Sequence, residues 1–468
     1  EGAVMFNVSE SENGMLRMEY NDPNTMDRFF AMSTAVSRDG TRAIYAKGTL
    51  VEHVESDKVN YYHIPPRKEP VEIRYPNHDV WSFINRIEYT PDNSAFLALS
   101  GLANLGESSQ DGYLFVTSDG DEGFLKHVIE LPKDKKFYSF TGSCISGNGA
   151  YALAWSGNHT SADYMGLLID LRTGKGISSL QNTLDMKFFP DSMAAMHTVI
   201  SKCTPAKGLG QASFEFAVGI NQTLIPESPD SHIVFEYRNT ALGDISPSGR
   251  FAVYIDYSVK KGSRVFTSLG NGELLFNEYV NACRITHDDL HMFVICEKVI
   301  YLVQVIEMKL VQEFRMNYPN DKESRSNSFC FVSHQIDNRS VDGRDEHVHN
   351  SRHFQLYDKG LIISDWDHIF RIEPDGYKIN EVSFATISRV WNHRKDEFDE
   401  PKAMCPMCGK RFAPDGKVLK CIEDICKDLP PDSSPCLNLN FGEWERPELK
   451  GHTCPHCGNQ LRFNPFIG

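Results

Sequence analysis

No apolar run in this sequence is long enough to cross a bilayer. The longest, such as VIYLVQVI at residues 299–306, are of strand length. No positively charged stretch followed by an apolar one marks a signal peptide either, so no membrane partner is expected. Positive charge is in deficit. Lys and Arg number 48 against 63 Asp and Glu, a formal net charge of −15. That balance disfavours nucleic acid as a partner, because affinity for a polyanion depends mainly on phosphate neutralisation. Local catalytic motifs are missing as well: there is no G-x-x-x-x-G-K-[ST], G-x-S-x-G or H-E-x-x-H, and no G-x-G-x-x-G after a strand. This lowers the case for an enzyme without removing it, since a site assembled from scattered strands leaves no local motif.

What the chain does contain is a recurring short strand unit. The clearest copy is CISGNGAYALAWSGNHTSADYMGLLIDLRTGK, running from Cys144 to Lys175. It reads as three apolar strands joined by a turn at Gly147-Asn148-Gly149 and a loop, with a closing turn at Arg172-Thr173-Gly174-Lys175. Such a meander is not stable alone and needs copies to pack against. A turn of the type [S/T]-x-[D/N/S]-[G/N] before an apolar strand recurs seven times. Its markers are Gly40, Asn93, Gly149, Gly208, Gly249, Asp289 and Gly360, stepping by 53, 56, 59, 41, 40 and 71 residues. A period of this size with loop insertions is the pattern of propeller blades.

The units resemble those of the WD40-like β-propeller family. That repeat carries an S-P-D-G-type turn between its first two strands and often an L-x-T-G-K-type turn after the third, which residues 171–175 match. The Gly-His and terminal Trp-Asp signatures are absent apart from Asp365-Trp366-Asp367, so the resemblance is to a degenerate member. It implies an all-β fold over residues 1–395: a seven-bladed propeller, with six or eight blades as the alternatives. An N-terminal strand is expected to complete the last blade and hide its edges.

Cysteine usage divides the chain. Cys144, Cys203, Cys283, Cys296 and Cys330 are scattered among the strand units, where free cysteine behaves as a small apolar residue. The other seven lie between 405 and 457 and include two copies of C-P-x-C-G, at Cys405/Cys408 and Cys454/Cys457. Two such hairpin tips place four thiolates around one structural Zn²⁺. The Gly of each tip permits a positive φ that aims backbone N–H groups at sulfur. These knuckles resemble those of zinc ribbons and rubredoxin-like modules, over residues 404–463. Iron accepts the same ligands, and a redox C-x-x-C would need a thioredoxin-like context that is not present. Between the knuckles, Cys421, Cys426, Cys436 and the nearby His452 form a candidate second set, although irregular spacing favours free thiols in an inserted loop.

The expected division is a propeller over 1–395, a charged linker at 396–403 and a ribbon over 404–468, packed on the propeller through residues such as Phe412, Trp444, Phe463 and Phe466. The ribbon has nine Lys and Arg against eight Asp and Glu from Pro401 onward, which is no basic stripe. One polar cluster stands apart: Asp345, Glu346, His347, His349 and His353, where H-x-H in an extended strand would put both rings on one face. A solvated loop explains it without metal.

The sequence thus predicts a non-enzymatic recognition or scaffold module with protein partners in a reducing, cytoplasmic setting. Two other readings remain: a propeller enzyme with a channel or His-cluster metal site, and a nucleic-acid-binding accessory subunit acting through the ribbon. It also predicts that Cys405→Ser unfolds the tail and leaves the propeller intact.

Overall fold

The turn motif works through its hydroxyl and its acid or amide. In the turn after Ile84–Tyr89, the Thr90 N–H donates to the Ala95 carbonyl at 2.9 Å and the Ala95 N–H donates to the Thr90 hydroxyl at 3.0 Å. Asp92 Oδ1 accepts from both the Thr90 hydroxyl (2.8 Å) and the Ser94 N–H (3.2 Å). Ser146 with Asn148 and Thr286 with Asp288 repeat the same bonds. The next residue takes a positive φ, 59° at Asn93, 67° at Gly149 and 61° at Asp289, which explains the Gly, Asn and Asp there. Each turn therefore reverses the chain with its hydroxyl and the backbone N–H groups it faces satisfied locally.

The computed structural model describes residues 6–467 apart from 11–14, 21–27, 39–41, 49–58, 66–69, 74–83, 101–111, 118–124, 131–139, 159–162, 191–193, 205–212, 222–230, 236–238, 297–298, 316–352, 358–359, 366–367, 375–381 and 428–445. Among the described residues, seven antiparallel sheets form the blades of a β-propeller. Six have four strands in chain order. Their first strands are Arg28–Val36, Ile84–Tyr89, Phe140–Ile145, Thr183–Phe188, Thr240–Ile245 and Val280–Ile285. The seventh begins with His353–Tyr357, Gly360–Asp365 and His368–Ile372, and is completed from the N-terminal end. Met15–Tyr20 pairs with His368–Ile372, Met15 opposite Ile372, and Phe6–Glu10 pairs outside it. The N-terminal closure expected from sequence is present.

First strands of blades one to six contact one another in succession, and those of blades seven and one do so too. Arg284 of blade six lies over the Phe354 ring of blade seven at 5.8 Å, so the first strands line the inside of the ring. Apolar side chains fill the gaps between blades. Leu97, Leu99 and Val116 of blade two meet Phe140, Ala152 and Ile169 of blade three. Phe293, Ile300 and Phe314 of blade six meet Leu361, Ile363 and Ile372 of blade seven, and blade seven in turn contacts the first strand of blade one, which closes the circle. Burying one such side chain contributes about 1.5–3 kcal/mol relative to leaving it exposed.

The structure corrects two sequence expectations. The fourth blade turns at Phe189–Ala194, where the Phe189 N–H donates to the Ala194 carbonyl at 2.9 Å in the bond shared by the other turns. The marker Gly208 lies outside the described residues, between the second and third strands of that blade, Ala195–Thr204 and Ser213–Asn221. Phe189 stands where the turns of blades one, two, three, five and six have Ser37, Thr90, Ser146, Ser246 and Thr286, so a search keyed on the hydroxyl passes it by.

The second correction concerns Ser383–Ser388, placed in the propeller above. It is the central strand of a five-stranded C-terminal sheet, parallel to Gln460–Ile467 and antiparallel to Lys402–Met404. The supposed linker is partly a hairpin, Trp391–Asn392 against Glu397–Phe398. The spacer between the knuckles also contains a helix, Gly416–Lys427. Asp415 caps it by accepting from the Lys417 N–H at 2.8 Å, and the buried Val418, Cys421, Ile422 and Ile425 form one face.

Candidate metal centre

Both knuckles share one backbone plan. The Cys405 N–H donates to the Lys410 carbonyl (3.1 Å) and the Gly409 N–H to the Cys405 carbonyl (2.9 Å). The Cys454 N–H donates to Asn459 (2.8 Å) and the Gly458 N–H to Cys454 (3.0 Å). Gly409 and Gly458 have φ of 67° and 75°. The tips meet so that Cys405, Cys408, Cys454 and Cys457 bring their four Sγ atoms within 4.8 Å of one another. Cys405 Sγ lies 3.7 Å from Cys457 Sγ, and Cys408 Sγ lies 3.8 Å from Cys454 Sγ.

Amide N–H groups point at the sulfurs: those of Cys408 and Met407 at Cys405, that of Lys410 at Cys408 and that of Asn459 at Cys457. The Cys408 thiol is pulled down, first by its hydrogen bond with the Cys405 thiol and further by these contacts. Burial pushes Cys457 up to about 11. Four soft donors in this arrangement, with no carboxylate among them, fit a tetrahedral metal of the zinc or iron type. Cys405 and Cys454 are buried and Cys457 is exposed.

The other sequence-predicted residues are not brought together in this way. Cys421 sits in the apolar core of the tail, where the Arg446 guanidinium donates to its sulfur at 3.9 Å. The His452 Nε2 lies 2.9 Å from the Glu448 carbonyl, with its ring edge on Phe463 at 4.6 Å between centroids. Among the described residues, only the two knuckles form a cluster of metal-type ligands. Cys436, Asp345, Glu346, His347 and His349 lie outside the described residues, and His353 is described only as the start of its strand.

Sequence reasoning missed where the tail sits. It packs on the tight turns between first and second strands, across one mouth of the ring. Phe384 joins the cluster between blades four and five, and its N–H donates to the His287 carbonyl of blade six at 3.3 Å. The Trp391 N–H donates to the Asn148 carbonyl of blade three (3.0 Å). Arg172 stacks on Tyr151, with its guanidinium carbon 4.7 Å from the ring centroid, and reaches Trp391 and Phe398 of the tail hairpin at 5.9 and 5.8 Å. Gly409 stands against Asn93 and Pro91 of blade two and Arg38 of blade one. Burial pushes the Arg38 guanidinium down, an effect that the neighbouring Cys405 only partly offsets. No local sequence signal could reveal these contacts, because each joins residues far apart in the chain.

Inside the ring, first strands bring six charges together: Arg86, Glu88, Asp185, Lys187, Asp244 and Arg284. The Ser143 hydroxyl donates to Glu88 at 2.9 Å, Lys187 Nζ lies 4.0 Å from Asp244, and Asp244 accepts from the Ile285 N–H at 2.9 Å. Burial pushes the Glu88 and Asp185 carboxyls up. With three cations and three carboxylates, the set is formally neutral.

No protein family matches the sequence, and no curated protein matches it. Solved structures do. The β-propeller domain of the Trilobed protease from Pyrococcus furiosus shares 9% identity, over 63% of this chain and 85% of that one, with a TM-score of 0.42. An oligogalacturonate lyase from Vibrio parahaemolyticus shares 11%, over 80% and 98%, at 0.48. Chaetomium thermophilum Sqt1, solved bound to the N-terminus of a ribosomal protein, shares 10%, over 75% and 98%, at 0.42. At these identities and scores none of them bears on what this chain binds. The fold rests on its own sheet pairing.

Proposed function

We propose that the chain is a non-enzymatic recognition platform for a protein partner, with the tail as a zinc-bound structural plug. Cys405, Cys408, Cys454 and Cys457 would hold the zinc. The observation that carries this reading is the division of the two faces. The tail occupies the face made by the tight first-to-second-strand turns. Second and fourth strands end, and third and first strands begin, at the opposite face. The chain positions between those ends include 49–58, 101–111, 131–139 and 316–352, which lie outside the described residues. Binding residues concentrate on long connections held by a rigid scaffold, so the partner is placed on the face away from the metal.

Chemical cross-linking of the assembly from its native source tests this. Inter-protein links are expected at loop-face lysines such as Lys260 and Lys261, both exposed in the connection before Ser263–Thr267. Links confined to the tail would overturn it. Among the described residues no helix is long and apolar enough to cross a membrane, and the deficit of positive charge disfavours nucleic acid.

The six converging channel charges favour a second reading, a small polar ligand bound or transformed in the ring. It requires a compound that raises the unfolding temperature of the wild-type chain but not of Lys187→Met. A survey of polar metabolites with no such shift removes it.

A further inference from the structure

Arg411 stands between the propeller and both knuckles. Its guanidinium donates to Asp92 Oδ2 of blade two at 2.6 Å and to Asp399 Oδ2 at 3.3 Å. Its backbone pairs with Met404, immediately before Cys405. Its carbonyl oxygen lies 3.1 Å from Nε2 of His456, which sits between Cys454 and Cys457. The Asp92 side chain is only 4% exposed and that of Arg411 17%, so the pair is shielded from the screening that weakens surface ion pairs. Beside it, the first knuckle rests on the same turn. A Cβ on Gly409 would stand 3.1 Å from Asn93 Nδ2. One blade-two turn thus bears on the first knuckle directly and on the second through the Arg411 carbonyl.

We propose that blade two sets the metal affinity of the tail: the Asp92–Arg411 pair positions the two knuckles, so that metal binding and docking on the propeller reinforce each other. This rests on the reading that the four cysteines hold zinc. If metal strengthens docking by some factor, docking strengthens metal binding by the same factor, because coupling between two binding events is reciprocal. Asp92 is a positioning residue here and never touches the metal. The first knuckle, freed of Arg411, would have to pay the ordering cost on each binding event.

Asp92→Asn isolates the effect. The equivalent position of blade three is already Asn148, whose Oδ1 accepts from the Ser146 hydroxyl (2.8 Å) and the Ala150 N–H (3.0 Å) just as Asp92 Oδ1 does in its own turn. The substitution therefore keeps the turn and replaces only the oxygen facing Arg411 with an NH₂.

The test is competitive zinc titration of the intact, reduced chain against a chromophoric chelator. Asp92→Asn is expected to raise the zinc Kd by about 5-fold or more, within the usual range for coupled sites. Arg411→Gln should do the same, and the double variant should be no weaker than either single one. Asp424→Asn, which changes an exposed helix carboxylate paired with Lys427, should leave the Kd unchanged. The Co²⁺-loaded Asp92→Asn chain should keep the absorption bands of a tetrahedral thiolate site. A zinc Kd for Asp92→Asn equal to wild type would overturn the inference. An additive double variant would also overturn it. A wild-type chain that binds no zinc would instead remove the reading beneath it.

Discussion

Replacing Cys405 with Ser is expected to strip the metal and to unseat the tail from the propeller in one event. Cys405 is fully buried in the tail core with Ala385, Ile387, Val418, Ile422 and Phe463. Its removal deletes a ligand and puts a hydroxyl among apolar groups. A segment of this size takes much of its folding energy from the metal. The sequence alone predicts that the damage stops at the tail, but the packing argues otherwise. Phe384 belongs to the core between blades four and five, and Trp391 to the core between blades three and four. Losing them uncovers the turns they sit on. The expected outcome is rapid proteolysis of the tail together with faster amide exchange at the turns of blades three and six, which Trp391 and Phe384 cover. The propeller's unfolding midpoint should also fall, by roughly 1 °C for each kcal/mol of docking lost from a unit of this size. A tail that is cut while those turns exchange as in wild type would show two independent units.

Phe293→Ala is expected to cost about 3–5 kcal/mol, as truncations of fully buried aromatic residues do. Phe293 is 0% exposed and packs with Ile295, Leu302 and Phe314 of its own blade and Leu361, Ile363 and Ile372 of the next. This seam joins blade six to the blade that the N-terminal strands complete, so a cavity here weakens the packing on which that blade rests. Leu275, 68% exposed on an outer strand, gives the comparison, and Leu275→Ala should fall within about 0.5 kcal/mol of wild type. Urea unfolding of both variants measures the difference. Equal midpoints would mean that the seam is not part of the cooperative core.

The repeat was legible in the sequence because its turns are built locally. Thr90 with Asp92, Ser146 with Asn148 and Thr286 with Asp288 make their bonds within six residues, so spacing alone reveals them. Phe189 breaks that pattern and hid the turn of blade four. The knuckles were legible for the same reason, since each C-P-x-C-G is a complete local unit. Ser383–Ser388 was not. Its residues, SFATIS, read like any blade strand, and only its partner distinguishes it: Ser383 pairs with Leu461, far along the chain. The helix at Gly416–Lys427 does carry a signal, Asp415 ahead of apolar residues at 418, 421, 422 and 425, but Cys421 and Cys426 within it also fit free thiols in an inserted loop, and spacing alone does not separate the two. Contacts such as Arg411 with Asp92 depend on the assembled ring, and no local rule encodes them.

The most direct test is elemental analysis of the purified, reduced chain beside Cys405→Ser. One zinc per chain is predicted for the wild type and none for the variant. A wild-type chain without stoichiometric metal, or a zinc that survives loss of Cys405, would contradict the central claim that the two knuckles form a metal-held plug on the propeller.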